Sequence, residues 1–136
     1  MTHFNEFSLP EAIQHKLEAL EFKTPTPIQE QAIPLALDGK DILGSAQTGT
    51  GKTAAFTIPL LTKVMNSADF FGLIVTPTRE LAMQVDAQIR MLLSSKSKIR
   101  SVVLIGGASM DRQMQMLSKN PRIIVGTPGR IIDHLE

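Results

Sequence analysis

Ala46-Gln47-Thr48-Gly49-Thr50-Gly51-Lys52-Thr53 is the stretch on which the reading of this chain turns. Small residues run into Gly-Lys-Thr, a strand-like run at residues 42–45 precedes them, and a helix-like run at residues 52–64 follows. Glycine leaves room for backbone N–H groups to converge on an oxyanion, where a side chain would crowd it. The following helix aims its positive end at the same point. Strand, glycine loop and helix in that order are the context of a phosphate-binding loop. In that role the loop backbone at Gln47, Thr48, Gly49, Thr50 and Gly51 cradles phosphates, Lys52 reaches the β- and γ-phosphates, and the Thr53 hydroxyl ligates Mg²⁺. The first position is Ala46, where the general pattern has glycine. A chance glycine-rich turn is the competing reading, and the flanking elements weigh against it.

Downstream, strand and helix patterns alternate. Residues 72–76, 102–105 and 122–126 read as strands, and residues 78–93, 109–117 and 129–135 as helices. Leu81, Val85, Ile89 and Leu92 form the inward stripe expected of the 78–93 helix. With residues 42–45 this makes four strands, three of them continuous β-branched runs without alternation. That pattern predicts an α/β fold, a parallel sheet flanked by helices. Ligands of such sheets bind beyond the carboxyl ends of the strands. Each run ends in a polar or glycine segment: 46–50, 76–78, 106–108 and 126–130. Parallel strands would gather all four on one rim.

Upstream, two helices are expected. Ser8 and Glu11 have capping-box spacing, with Leu9, Ile13, Leu17 and Leu20 on one face. Thr26 and Gln29 repeat the capping spacing around Pro27, and Pro34 should end or kink that second helix. Gln29 has two readings, a capping side chain or an amide that reads adenine N6 and N7. Phe4 likewise is either core or a ring that stacks on a base.

The rim segments taken singly are ordinary caps and turns. Together, Pro77-Thr78-Arg79, Gly106-Gly107 and Thr127-Pro128-Gly129-Arg130 suit a nucleic-acid backbone, with little reading of bases. Composition limits the alternatives. The 136 residues carry a net charge of +1 and 43% apolar content, so nucleic-acid contact must come from local basic groups. There is no cysteine and the three histidines lack ligand spacing, which excludes disulfides and thiolate metal centres. No apolar run approaches a membrane span and no signal peptide opens the chain, so a cytoplasmic location is the expectation.

With these motifs in hand, the chain strongly resembles the first RecA-like domain of DEAD-box RNA helicases, a P-loop NTPase fold. Residues 22–29 look like the Q motif of that family, 46–53 like motif I, 77–82 like motif Ia, Gly106-Gly107 like the GG motif and 127–130 like motif Ib. The resemblance implies that Thr24 and Gln29 hold the adenine. It selects Phe4, 17 residues before Glu21, as the stacking aromatic and leaves Phe7 to the core. Glu21 stands where the family usually has glycine. Lys52 and Thr53 take ATP and Mg²⁺ and are the residues here that act in the chemistry. Pro77, Thr78, Arg79, Gly106, Gly107, Thr127, Gly129 and Arg130 match positions used on the RNA sugar-phosphate backbone. The implied layout is an arm, helices and Q motif at residues 1–38 and a partial RecA-like domain at 39–136, with a second RecA-like domain as partner in the parent protein.

No Asp-Glu-Ala-Asp tetrad occurs among the 136 residues. The chain by itself is therefore expected to bind nucleotide without turning it over, and to fold marginally with the 42–45 strand unflanked on one side. Two rivals stand beside this reading: another P-loop helicase or ATPase of the same superfamily, and a non-catalytic nucleotide- or RNA-binding module.

Overall fold

The computed structural model describes residues 3–44, 51–93 and 97–136. The N-terminal arm makes one short turn, Phe4–Glu6, and leads to α1, Glu11–Ala19. Leu9, Ile13 and Leu17 are buried as the stripe requires. The Ser8–Glu11 capping box does not form: Pro10 is the N-cap, without a side-chain cap bond. The cause is steric. A proline drives the residue before it into extended backbone, so Leu9 cannot be the first helical residue and Ser8 falls one position too early.

Helix α2, Pro27–Leu37, opens on a complete capping box. Gln29 N–H donates to Thr26 Oγ1, and Thr26 N–H donates to Gln29 Oε1 at 3.0 Å. Pro34 does not end this helix, which continues to Leu37 with the Asp38 N–H donating to the Pro34 carbonyl at 3.1 Å. Proline lacks only its own donor; its carbonyl still accepts. Helix α3, Lys52–Asn66, packs closely along α2 and buries Ile58, Leu61 and Val64.

The sheet has three described strands, β1 (Gly72–Val75), β2 (Ser101–Leu104) and β3 (Ile123–Gly126), all parallel, in the order β1-β3-β2. The fourth strand expected at 42–45 is not seen. Residues 41–44 are irregular, Leu43 is fully exposed, and Ser45 lies outside the described residues. A strand needs a hydrogen-bonded neighbour, and no described strand lies beside this run.

Helix α4 (Arg79–Leu92) crosses from β1 to β2, and α5 (Met110–Leu117) crosses back to β3. Right-handed crossovers in opposite directions place these helices on opposite faces. Val85, Ile89 and Leu92 point inward from α4, but Leu81 is 36% exposed and Ala82, at 0%, takes its place. With Thr78 as N-cap, the buried stripe is 82, 85, 89 and 92, the spacing of a continuous helix face. The last helix, α6, is Pro128–Leu135.

One apolar core joins the arm, α1, α2, α3, α4 and the inner face of the sheet, with Ile123 and Val125 of the central strand fully buried. The outer face is covered unevenly. In β1 burial alternates, leaving Leu73 and Val75 more than half exposed on that face.

Candidate nucleotide and nucleic-acid site

Gly51 is the N-cap of α3 and adopts φ +85°, left-handed backbone that favours glycine. Space imposes the same choice, since an added Cβ would overlap Gln29 Nε2 and lie 2.9 Å from Thr26 Oγ1. The Gly51 carbonyl accepts from Gln29 Nε2 at 3.1 Å and from the Ala55 N–H at 3.1 Å. Lys52 follows, exposed, at the first helical position. Thr53 is partly exposed and its carbonyl accepts from Thr57 Oγ1 at 2.8 Å. The positions read from sequence as Gln47, Thr48, Gly49 and Thr50 lie outside the described residues.

Gln29 is the capping side chain of one of its two readings. It is 5% exposed, its oxygen completes the α2 cap, and its nitrogen grips the phosphate-loop end. An amide carries two N–H donors and two acceptor lone pairs, the kind of pair a purine edge requires. Thr24 is exposed two residues before the cap. The arm reaches this region through the Phe4 N–H, which donates to the Lys23 carbonyl at 3.3 Å. The Phe4 ring, however, is 5% exposed, edge-on to Phe7 at 6.1 Å and stacked with Phe22 at 6.4 Å. Its faces are occupied by protein, so stacking on a base requires the arm to shift.

The other rim segments are brought together as parallel strands demand. The Thr76 N–H donates to the Gly126 carbonyl at 2.9 Å and the Thr127 N–H to the Leu104 carbonyl at 3.1 Å, so the three strand ends are laced side by side. Thr78 caps α4 through Leu81 N–H at 3.2 Å. Thr127 heads α6 without using its hydroxyl as a cap. Pro77, Thr78, Arg79, Gly107 and Gly129 are exposed, while Gly106 and Thr127 are partly so.

Both rim arginines turn onto the loop between β2 and α5. Arg79 Nη1 donates to the Gly106 carbonyl at 3.3 Å, and Arg130 Nη1 donates to the Ala108 carbonyl at 3.2 Å. Gly107 between them has φ +81°, and a Cβ there would overlap the Arg79 guanidinium. Gly107 is therefore favoured by its backbone and by the arginine that lies across it, while a Cβ at Gly106 would meet nothing within 4 Å.

Sequence reasoning missed Gln113, a polar residue on the inward face of α5 and 5% exposed. Its Nε2 donates to the Ile105 carbonyl at 2.9 Å, and its Oε1 accepts from Arg130 Nη1 at 3.3 Å and faces His134 Nε2 at 2.9 Å. The available signal was a glutamine at the spacing of Met110 and Leu117, where an apolar residue would ordinarily stand.

Among the described residues no group of three or more His, Asp or Glu side chains could hold a metal ion, and no helix is long and apolar enough to cross a membrane. The sequence model of the DEAD/DEAH box helicase family matches residues 26–136. The ATP-dependent RNA helicase CshA of Listeria monocytogenes is 49% identical over 99% of this chain, which spans 26% of that protein. The crystal structure of a DEAD box protein from the hyperthermophile Methanococcus jannaschii superposes on 99% of this chain with a TM-score of 0.90 and 41% identity, over 37% of its own length. The chain thus spans about a quarter of the length of the curated relative it matches. The parallel sheet with its flanking helices is the RecA-like domain of such proteins, and the chain belongs to the DEAD/DEAH box helicase family.

Proposed function

We propose that this chain is the ATP- and RNA-binding part of an ATP-dependent RNA helicase, a cytoplasmic protein that separates short RNA duplexes or remodels RNA–protein complexes. The observation that carries the reading is the bond from Gln29 to the Gly51 carbonyl. It puts an amide able to recognise adenine and the end of a phosphate loop into one hydrogen-bonded unit. The first 38 residues would supply the adenine contacts of Thr24, Gln29 and Phe4, and residues 39–136 the phosphate loop and the RNA rim. Across from them, a second RecA-like domain of the complete protein would close the site.

The fit of Mg²⁺ follows from its preference for oxygen ligands. Thr53 stands in the first turn of α3 with its hydroxyl beside the positive helix end. Lacking an acidic cluster among the described residues, such an ion would be held here by Thr53, water and the nucleotide's own phosphates. Bound there it would neutralise charge developing on the phosphates. Lys52 would bind the same oxygens as a point charge, and Gly51 and the following N–H groups would orient them.

For RNA, the exposed Thr78 and Thr127 ends of α4 and α6, the Gly106-Gly107 loop, Pro77, Gly129 and the arginines Arg79 and Arg130 form one continuous edge. Helix N-termini and guanidinium groups recognise phosphate without reading bases. The test is duplex unwinding and phosphate release by the complete protein. Activity with ATP, absence of activity with GTP, and loss of both activities in Lys52→Ala are the expected results. Equal use of GTP would favour a different P-loop motor, and nucleotide binding with no RNA-dependent turnover a binding module.

A further inference from the structure

We infer that Gln113 is a positioning residue for RNA binding, acting through Arg130 and the orientation of α6. The inference rests on the RNA-rim reading above. Its chemistry is settled by one partner: the Ile105 carbonyl can only accept, so the Gln113 nitrogen faces it and the oxygen faces Arg130 and His134. One buried amide therefore ties the exit of β2 to two points on α6, four residues apart on one face. The Arg130 side chain is only 16% exposed. Its Nη1 is fully committed, to the Ala108 carbonyl at 3.2 Å, Met110 Sδ at 3.5 Å and Gln113 Oε1 at 3.3 Å. Those bonds, with Asp133 Oδ2 3.8 Å from the Arg130 Nε, fix the plane of the guanidinium, and a planar fork binds a phosphate oxygen best when already oriented.

The same amide sets the tilt of α6, whose first turn carries Thr127, Pro128 and Gly129. Replacing Gln113 by an apolar side chain of like size leaves the Ile105 carbonyl and the Arg130 fork without this partner, and frees both the fork and the helix start to reorient. Glutamate keeps the acceptor for Arg130, as a charged one, but loses the donor to Ile105 and turns a carboxylate oxygen toward that carbonyl. The two substitutions thus separate packing from positioning.

The experiment is a double-mutant cycle in the complete protein that carries this chain, read as affinity for a labelled oligouridylate with a non-hydrolysable ATP analogue and Mg²⁺. Gln113→Met is expected to weaken RNA binding about tenfold, with ATP affinity unchanged, as loss of a hydrogen bond to a charged group implies. Gln113→Glu should stay within about threefold of the unsubstituted protein. In an Arg130→Ala background the Gln113→Met effect should shrink below about twofold. An undiminished effect in that background, or a loss of thermal stability with no change in RNA affinity, overturns the inference. If Arg130→Ala alone leaves RNA affinity intact, the rim reading itself has failed. If Arg130→Ala weakens binding and Gln113→Met does not, only the positioning role has failed.

Discussion

The side-chain nitrogen of Gln29 lies 3.1 Å from the carbonyl oxygen of Gly51, joining the first turn of α2 to the first turn of α3. A residue that caps one helix therefore also grips the N-cap of the next. The starts of α2 and α3 are tied through a single amide.

Gln29→Ala removes both of these bonds and half of a capping box. A stability loss of about 1–2 kcal/mol is expected from the cap and the lost bond to the Gly51 carbonyl, which keeps the Ala55 N–H, visible as a lower urea midpoint at unchanged slope. ATP affinity should fall by about tenfold or more in titration calorimetry. Unchanged affinity alongside lost stability would reduce Gln29 to a cap alone.

Gly107→Ala forces a side chain onto left-handed backbone and into the Arg79 guanidinium. Left-handed strain alone costs about 1–2 kcal/mol, unless the loop rearranges. RNA affinity should drop and ATP affinity should not, since the loop stands on the rim and not against Gly51. Fluorescence anisotropy with labelled RNA, compared with calorimetry for ATP, separates the two.

The 136-residue chain alone should bind nucleotide and release no phosphate above background. Its candidate groups would position phosphates, and hydrolysis also needs a group that orients the attacking water and a firmly held Mg²⁺, for which the described residues offer no cluster of three or more His, Asp or Glu. Lys52→Ala should weaken nucleotide binding by about 10–100-fold, the range for a charge-assisted hydrogen bond. Steady phosphate release by the chain that disappears in Lys52→Ala would refute this expectation.

Self-association is expected from the uncovered side of β1. Leu73 and Val75 are 58% and 54% exposed on a strand that is paired only on its β3 side among the described residues. An apolar edge of this kind templates further strands. In sedimentation velocity the 136-residue chain should show species larger than a monomer, and Val75→Lys should reduce them. A monodisperse monomer at high concentration would contradict the expectation.

What could be read from the sequence follows from how local each signal is. The capping pair Thr26 and Gln29, the strand runs at 72, 102 and 122, and the helix starts near 78 and 109 depend on neighbours within four residues, and all appear within one or two positions. Three expectations failed where a longer-range or competing effect decided. Proline sterics at Pro10 overrode the Ser8 cap. The 42–45 run has strand-forming residues but no ladder to join. Leu81 lost the inward position to Ala82 once Thr78 set the phase of α4. At the site, the grouping of the rim segments was legible because parallel strands must end together. The clasp of Arg79 and Arg130 on the glycine loop, and the role of Gln113 behind it, were not legible. They depend on contacts 17 to 27 residues apart that leave no local pattern.

The order of the strands also sets a schedule for synthesis on the ribosome. β1 and β2 are made first, yet they never touch, and each ladders only with β3. Of the three described strands, the middle one is the last in sequence. Until residues 123–126 leave the exit tunnel, the earlier strands have no described strand partner for residues that end up buried, such as Ile74 and Leu104. The three described strands can therefore ladder only once residues 123–126 have emerged, and until then the earlier two are open to aggregation.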